Sequence, residues 1–473
     1  MTPAQPLRVG MVGYAFMGAA HSHAWRTAPR FFDLPLQPQL TAVAGRNADA
    51  ARAAADKLGW DSVETDWRRL IERDDIDLID ICTPGDTHAE IAIAALEAGK
   101  HVLCEKPLAN SVEEAERMTL AAETAAKQGV MSMCGFSYRR TPALALAKRF
   151  VEQGRLGEIR HVRAQYLQDW LSDANAPMTW RLDKSKSGSG SLGDIGAHSI
   201  DAAQWVAGQS ITGVSALLET FVPERPLAGD LVGLGGHGDI SGDAPRGKVT
   251  VDDAAIFSAK FDGGASAGAI GVFEATRYAL GRKNAMRLEL NGTKGSLAFD
   301  FEDMNVLSFY DAAESPDAGF RKIFVTEPEH PYVGNWWPTG HGLGYEHGFT
   351  HQVVDLVTAI GEGRQPEPSF ADALQVQRVL AAVEASAANS SPWPKVEDRE
   401  HGNRRRSSHD TTHHTLYRPV GRPAVRGGGP ARRRVGLRRA RDRLLGRPPG
   451  PPPGRGGRQL PPGPVGPPGE EQP

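Results

Sequence analysis

The chain reads as an α/β protein. It has a doubly wound parallel sheet over residues 1–141, an α+β domain with a large open antiparallel sheet over 142–400, and a disordered tail over 401–473. Three observations predict this. Up to residue 142, short apolar runs alternate with helical runs, the rhythm of parallel strands joined by helices. Beyond it, strand-like runs follow one another without helices between them, which suits an antiparallel sheet. From residue 401 onward lysine vanishes, and Gly and Pro supply 28 of 73 residues.

The elements follow in order. Residues 7–13 (LRVGMVG) form a first strand, and a glycine turn leads into a helix over 19–27. A second strand spans 40–44, an alanine-rich helix 48–58 and a short helix 66–73. IDLIDICT at 76–83 is the third strand, and the helix after it, 88–98, stops at Gly99. Residues 101–104, 112–127 and 130–136 add a strand, a helix and a fifth strand. A helix over 143–153 then leads into an alternating strand at 159–166, with another helix at 192–206. Strands are expected at 213–220, 253–261, 266–275, 286–291, 295–300 and 305–310, with Asn291–Gly295 as a hairpin turn. Residues 223–249, rich in Gly, Pro and Asp, read as a long loop, and helices at 348–361 and 372–387 close the body.

Hydrophobic residues make up 40% of the 473, enough for substantial cores. The net charge of −3 hides an asymmetry: the tail carries 16 arginines and four acids, so the first 400 residues stand near −15. An acidic body argues against nucleic acid as a partner. The three cysteines, Cys82, Cys104 and Cys134, are odd in number and suit a reducing compartment. The opening MTPAQPLRVGMVG lacks a basic segment followed by a long apolar one. No run approaches the roughly 18 apolar residues of a membrane helix. A cytoplasmic protein with no membrane partner is expected. The tail buries too little apolar surface to offset its ordering entropy, so His409, His413 and His414 are not read as metal ligands.

Two segments carry chemistry. Gly13-Tyr14-Ala15-Phe16-Met17-Gly18 stands where the first strand meets the first helix, the place of the dinucleotide-binding G-x-G-x-x-G turn. Ala15 replaces the middle glycine, and the helix N–H groups would hold a pyrophosphate. The second strand ends in Gly45-Arg46 instead of the acid that binds the ribose of NAD, which leans the coenzyme toward NADP over NAD. Further on, VLCEKPL at 102–108 projects Lys106 at the carboxyl edge of the sheet, where such sheets bind ligands. In GSLGDIGAHSID at 190–201, a helix would put Asp194, His198 and Asp201 on one face. A neutral histidine near an acid suits general-base work.

Taken in order, VGMVGYAFMG, CTPGDTH, AGKHVLCEKPLA and GDIGAHSIDAAQWVAG resemble the Gfo/Idh/MocA family of NAD(P)-dependent oxidoreductases over residues 7–395. YLQDWLSD and WRLDKSKSGSGSLGDIGAH are similar to its sugar and cyclitol branch, that of inositol and levoglucosan dehydrogenases. The resemblance implies a Rossmann domain, NAD or NADP as coenzyme, and a catalytic set of Lys106, Asp194 and His198. His198 would take the proton of a substrate hydroxyl and Lys106 would hydrogen-bond the oxygen, the sequence leaving open which of the two accepts the proton, and Asp194 would orient substrate or imidazole. The coenzyme would be bound by Gly13, Ala15, Phe16, Met17, Gly18, Arg46, Thr83, Pro84, His88, Glu105 and Lys106. Gly85 stands where the family often has Asn. Tyr138, Arg139, Trp170, Arg181, His341 and Tyr345 are the expected contacts to a polyol or sugar, supplying hydrogen bonds and flat apolar faces. No metal and no nucleic acid is implied, and dimers or tetramers would form through the exposed sheet. Three rival readings remain: a non-catalytic nucleotide-binding regulator of the same fold, a metal hydrolase using Asp194, His198, His341 and His347, and nucleic-acid binding through the tail.

Overall fold

A computed structural model describes residues 5–227, 245–263, 268–314 and 316–389. The tail at 401–473 and most of the expected 223–249 loop lie outside the described residues. In the first half, strands β1 (Gln5–Val12), β2 (Leu36–Ala44), β3 (Ser62–Glu64), β4 (Leu78–Ile81), β5 (His101–Cys104) and β6 (Ser132–Cys134) alternate with helices. The helices are α1 (Phe16–Phe31), α2 (Ala48–Leu58), α3 (Trp67–Glu72), α4 (His88–Glu97) and α5 (Val112–Ala126). The sheet runs β3-β2-β1-β4-β5-β6 and every pairing in it is parallel. Its central strands bury both faces, which is why they read as unbroken apolar runs. Strand order reverses between β1 and β4, and in such sheets the crevice at that point binds ligands.

The second half begins with α6 (Pro142–Glu152) and β7 (Ile159–Leu167), followed by a short α7 (Lys184–Ser187) and α8 (Ala197–Ala207). Next come β8 (Ile211–Glu219), then β9 (Glu224–Pro226) and β10 (Arg246–Lys248), which pair with each other at the edges of the expected loop. Strands β11 (Ala254–Phe261), β12 (Ile270–Thr276), β13 (Ala285–Gly292), β14 (Gly295–Asp300), β15 (Val306–Asp311) and β16 (Arg321–Phe324) complete an eight-stranded sheet. Its order is β16-β15-β14-β13-β7-β12-β11-β8. The expected antiparallel sheet is in fact mixed, because β12 returns parallel to β7. The long connection between the two, through helices and two other strands of the sheet, makes that crossover possible.

Helices α9 (Tyr345–Glu362) and α10 (Phe370–Ala388) then turn back to the nucleotide half, α9 against α1 and α10 against α5. One core cluster runs without a break from Val12 and Ile81 through Phe136 and Leu144 to Phe273, Leu288 and Val379. The outer face of the large sheet exposes Leu217, Ile256, Ile270 and Val272. Among the described residues, no helix is long and apolar enough to cross a membrane.

Candidate active site

The glycine turn is shaped by close backbone approach. Gly13 has φ +95°, and a Cβ there would lie 2.9 Å from the carbonyl oxygen of Cys82. At Gly18 a Cβ would run into the carbonyl of Gly13. Ala15 opens α1 without any side-chain cap, so the first-turn N–H groups remain available. Ala15, Phe16 and Met17 line a cavity of about 780 Å³. Facing them at the ends of β4 and β5 are Thr83, Pro84, Gly85, His88, Glu105 and Lys106. The His88 ring spans the carbonyl oxygens of Thr83 (2.8 Å) and Pro107 (2.9 Å), tying these two loops together. The Lys106–Pro107 peptide is cis. An uncapped helix start over a two-glycine turn, at the mouth of a large cavity, fits a dinucleotide.

One expected coenzyme contact stands apart. Arg46 is exposed beyond β2 and does not line the cavity. The Tyr14 ring packs over Gly45 and fills the volume that a side chain at 45 would need. At Gly85 a Cβ would come within 2.5 Å of Asn110 Oδ1, so the Asn110 amide occupies the space left by the missing side chain.

Lys106 reaches across from the nucleotide half. Its Nζ donates to the backbone carbonyl of Asp194 at 2.7 Å and lies 3.6 Å from Asp194 Oδ1. Asp194 belongs to a π-helical segment, Leu192–Gly196, that leads directly into α8. The segment is anchored by Asp252, which accepts from the N–H of Gly190 and Leu192 and from the hydroxyl of Ser191 at 2.7–2.8 Å. Fully buried Arg277 reaches Asp194 Oδ2 at 3.3 Å. Burial works to raise the Asp194 carboxyl, but Lys106, Arg277 and Arg181 outweigh it and bring it down to about 2. His198 lies on the first turn of α8 and is buried. Burial and then the Lys106 charge hold its imidazole well below the ordinary value, while Asp194 pulls the other way.

Lys106, Asp194 and His198 therefore share one cavity with the nucleotide turn. Asp201 does not join them. It pairs instead with Arg139 through contacts of 2.5 and 2.9 Å. That pairing also removes Arg139 from the expected substrate contacts, because its guanidinium is buried outside the cavity lining. His341 is exposed, with Nδ1 2.8 Å from the carbonyl of Pro338, and is likewise absent from the lining.

Tyr138, Trp170, Arg181 and Tyr345 do line the cavity. Tyr138 packs edge-on against His198 with ring centroids 4.7 Å apart. Its hydroxyl meets Tyr166 at 2.5 Å, Tyr166 donates to Asn284 (2.7 Å), Gln168 donates to Asn284 (2.9 Å), and Trp170 donates to Gln168 (2.8 Å). These hydrogen bonds join the wall into one network. Arg181 is different: its guanidinium stacks 4.5 Å over Trp180 and has no hydrogen-bond partner among the described residues. Sequence reasoning missed Tyr166, Gln168, Asn284 and Arg277. The first two lie in the quoted YLQDW, whereas Asn284 and Arg277 flank strands and carry no motif.

The same fold recurs in known proteins. Residues 7–136 match the oxidoreductase family with an NAD-binding Rossmann fold, and residues 144–298 match the GFO/IDH/MocA C-terminal domain. The chain is 43% identical over 396 residues to levoglucosan dehydrogenase of Pseudarthrobacter phenanthrenivorans, covering 83% of this chain and 98% of that one. It is 26% identical over 318 residues to myo-inositol 2-dehydrogenase of Thermotoga maritima, covering 67% and 82%. Among solved structures, an oxidoreductase domain protein of Kribbella flavida is 66% identical, with a TM-score of 0.77 over 81% of this chain and 97% of that one. Levoglucosan dehydrogenase in complex with NADH is 42% identical, with a TM-score of 0.75 over the same shares. From the nucleotide turn to the large C-terminal sheet, the chain belongs to the Gfo/Idh/MocA family of oxidoreductases.

Proposed function

We propose that this dehydrogenase oxidises a secondary hydroxyl of a neutral sugar, of the compact anhydrosugar kind, with NAD as coenzyme. The observation that carries the reading is the meeting of Lys106, Asp194 and His198 in the cavity that the nucleotide turn also lines. His198 is held neutral and takes the hydroxyl proton. The Lys106 ammonium, anchored on the Asp194 carbonyl, donates to the same oxygen and stabilises charge developing there. Asp194 stays ionised and keeps Lys106 and Arg277 in place. The coenzyme, when bound, supplies the hydride acceptor. Trp170, Trp180 and Tyr345 offer flat faces to a sugar ring, and Arg181 offers unused donors to its ring or bridge oxygens.

NAD is preferred to NADP in this reading because the one arginine near the ribose position, Arg46, stands outside the cavity. The levoglucosan dehydrogenase relative supports the sugar class. A regulator without turnover is disfavoured, since it would have no use for a low-pKa imidazole beside a lysine. A panel of anhydrosugars, hexoses and inositols, each with NAD and NADP and followed by reduced-coenzyme absorbance, tests the proposal. Turnover with NAD and an anhydrosugar is expected; absence of turnover with every pair would overturn it. The same reading has two or four copies of the chain assembling through the exposed sheet face.

A further inference from the structure

Below the cavity lies a charged cluster that the reaction just described does not use. His21 on α1 is 1% exposed, and each of its ring nitrogens meets a carboxylate. Nδ1 lies 2.9 and 3.0 Å from the two oxygens of Asp80 on β4, and Nε2 lies 3.1 Å from Oε1 of Glu105. A neutral imidazole has one N–H, so its bare nitrogen would face carboxylate lone pairs. These contacts therefore need either a doubly protonated ring or a protonated carboxyl. The surroundings select the first. Asp80 also accepts from the Trp25 indole at 2.7 Å, the Cys82 sulfur lies 3.6 Å from Asp80 Oδ1 and 3.4 Å from His21 Nδ1, and Glu105 Oε2 accepts from the Lys106 N–H at 3.3 Å. Both acids are surrounded by donors, which suits the ionised form. Burial alone would lower the His21 imidazole, but the Asp80 charge raises it well above the ordinary value. Phe349 of α9 covers the remaining side of the ring, with centroids 5.6 Å apart.

The cluster is joined to the cavity through Glu105, which is 4% exposed yet lines it together with Cys82 and Phe349. Gly135 makes room for this carboxylate, since a Cβ there would lie 2.6 Å from Glu105 Oε1. Two carboxylates and one imidazolium leave a single buried negative charge. The two forms of the coenzyme differ in charge only at the nicotinamide, which is cationic when oxidised and neutral when reduced.

Resting on the coenzyme reading above, we infer that His21 is a fixed imidazolium bridging Asp80 to Glu105, and that the net negative charge of this trio favours the oxidised over the reduced coenzyme. His21 is thus a positioning residue that acts through Glu105. The test is binding of NAD+ and of NADH, titrated separately, to the full chain and to Glu105→Gln, which keeps the shape and removes the charge. The Kd for NAD+ should rise about three- to tenfold while that for NADH changes less than about twofold. Equal shifts in both, or a shift in neither, would overturn the inference and leave the coenzyme reading standing. Failure of the native chain to bind either coenzyme would defeat both. A second measurement needs no active-site variant: side-chain 15N NMR, with His21→Gln for assignment, should find both His21 nitrogens still protonated above the pH at which an ordinary histidine loses its proton. A neutral ring would overturn the proposal. So would stoichiometric metal in the purified protein, since His21, Asp80 and Cys82 hold ligand atoms within 4.8 Å of one another and a bound cation would displace the proton.

Discussion

At the scale of single residues, the proposed chemistry rests on His198, whose imidazole burial and the Lys106 charge hold toward the neutral form. Because the His198 imidazole is held well below 6.5, its base form persists through the range in which an ordinary histidine protonates. The sign follows directly: activity is lost only when pH falls through the lowered value. The acid limb of kcat/KM should thus lie below about pH 6. A limb centred on the ordinary histidine value would remove His198 from the role of base. Lys106→Ala should cut turnover by about two or more orders of magnitude with coenzyme affinity largely retained. Near-native turnover in that variant would dismiss the lysine. Lys106, Asp194 and His198 were legible in the sequence because each sits in a motif whose residue types conflict with plain packing. Arg139 and His341 were legible only as residue types that suit sugars. Nothing local announced that Asp201 would capture the first, or that the second would face solvent.

Among the elements, the π-helical segment before α8 determines how Asp194 stands to His198. Asp201, further along α8, is taken up by Arg139 and does not reach the site. The segment depends on Asp252, a partner 58 residues further along the chain than Asp194, which no local pattern could reveal. Asp252→Ala removes three hydrogen bonds to a buried carboxylate and should cost about 2 kcal/mol or more of stability. Turnover should fall more than coenzyme affinity, as judged by kcat beside the Kd for NADH. Unchanged kcat would mean that the segment holds its shape without this anchor. The parallel strands were readable from their apolar runs. β3 and β16 escaped, the first having three residues and the second one apolar position exposed at its end.

For the whole molecule, one surface calls for a partner. Leu217 stands opposite Ile256 across β8 and β11, and Ile270 and Val272 extend the patch on β12. The opposite face of this sheet is covered by α8 and α10. Exposed apolar patches of this kind mark association surfaces, and a second copy of the chain is the expected occupant. The double variant Ile270→Lys, Val272→Glu should elute as a smaller species than the native chain on size-exclusion chromatography with light scattering. Identical masses would place the assembly surface elsewhere.

The return of α9 to α1 and of α10 to α5 bears on how the chain is made. Synthesis delivers the nucleotide-binding strands first, yet the helices that seal them are among the last parts of the body to leave the ribosome. Until they arrive, the flanks of α1 and α5 that they cover have no partner within the chain.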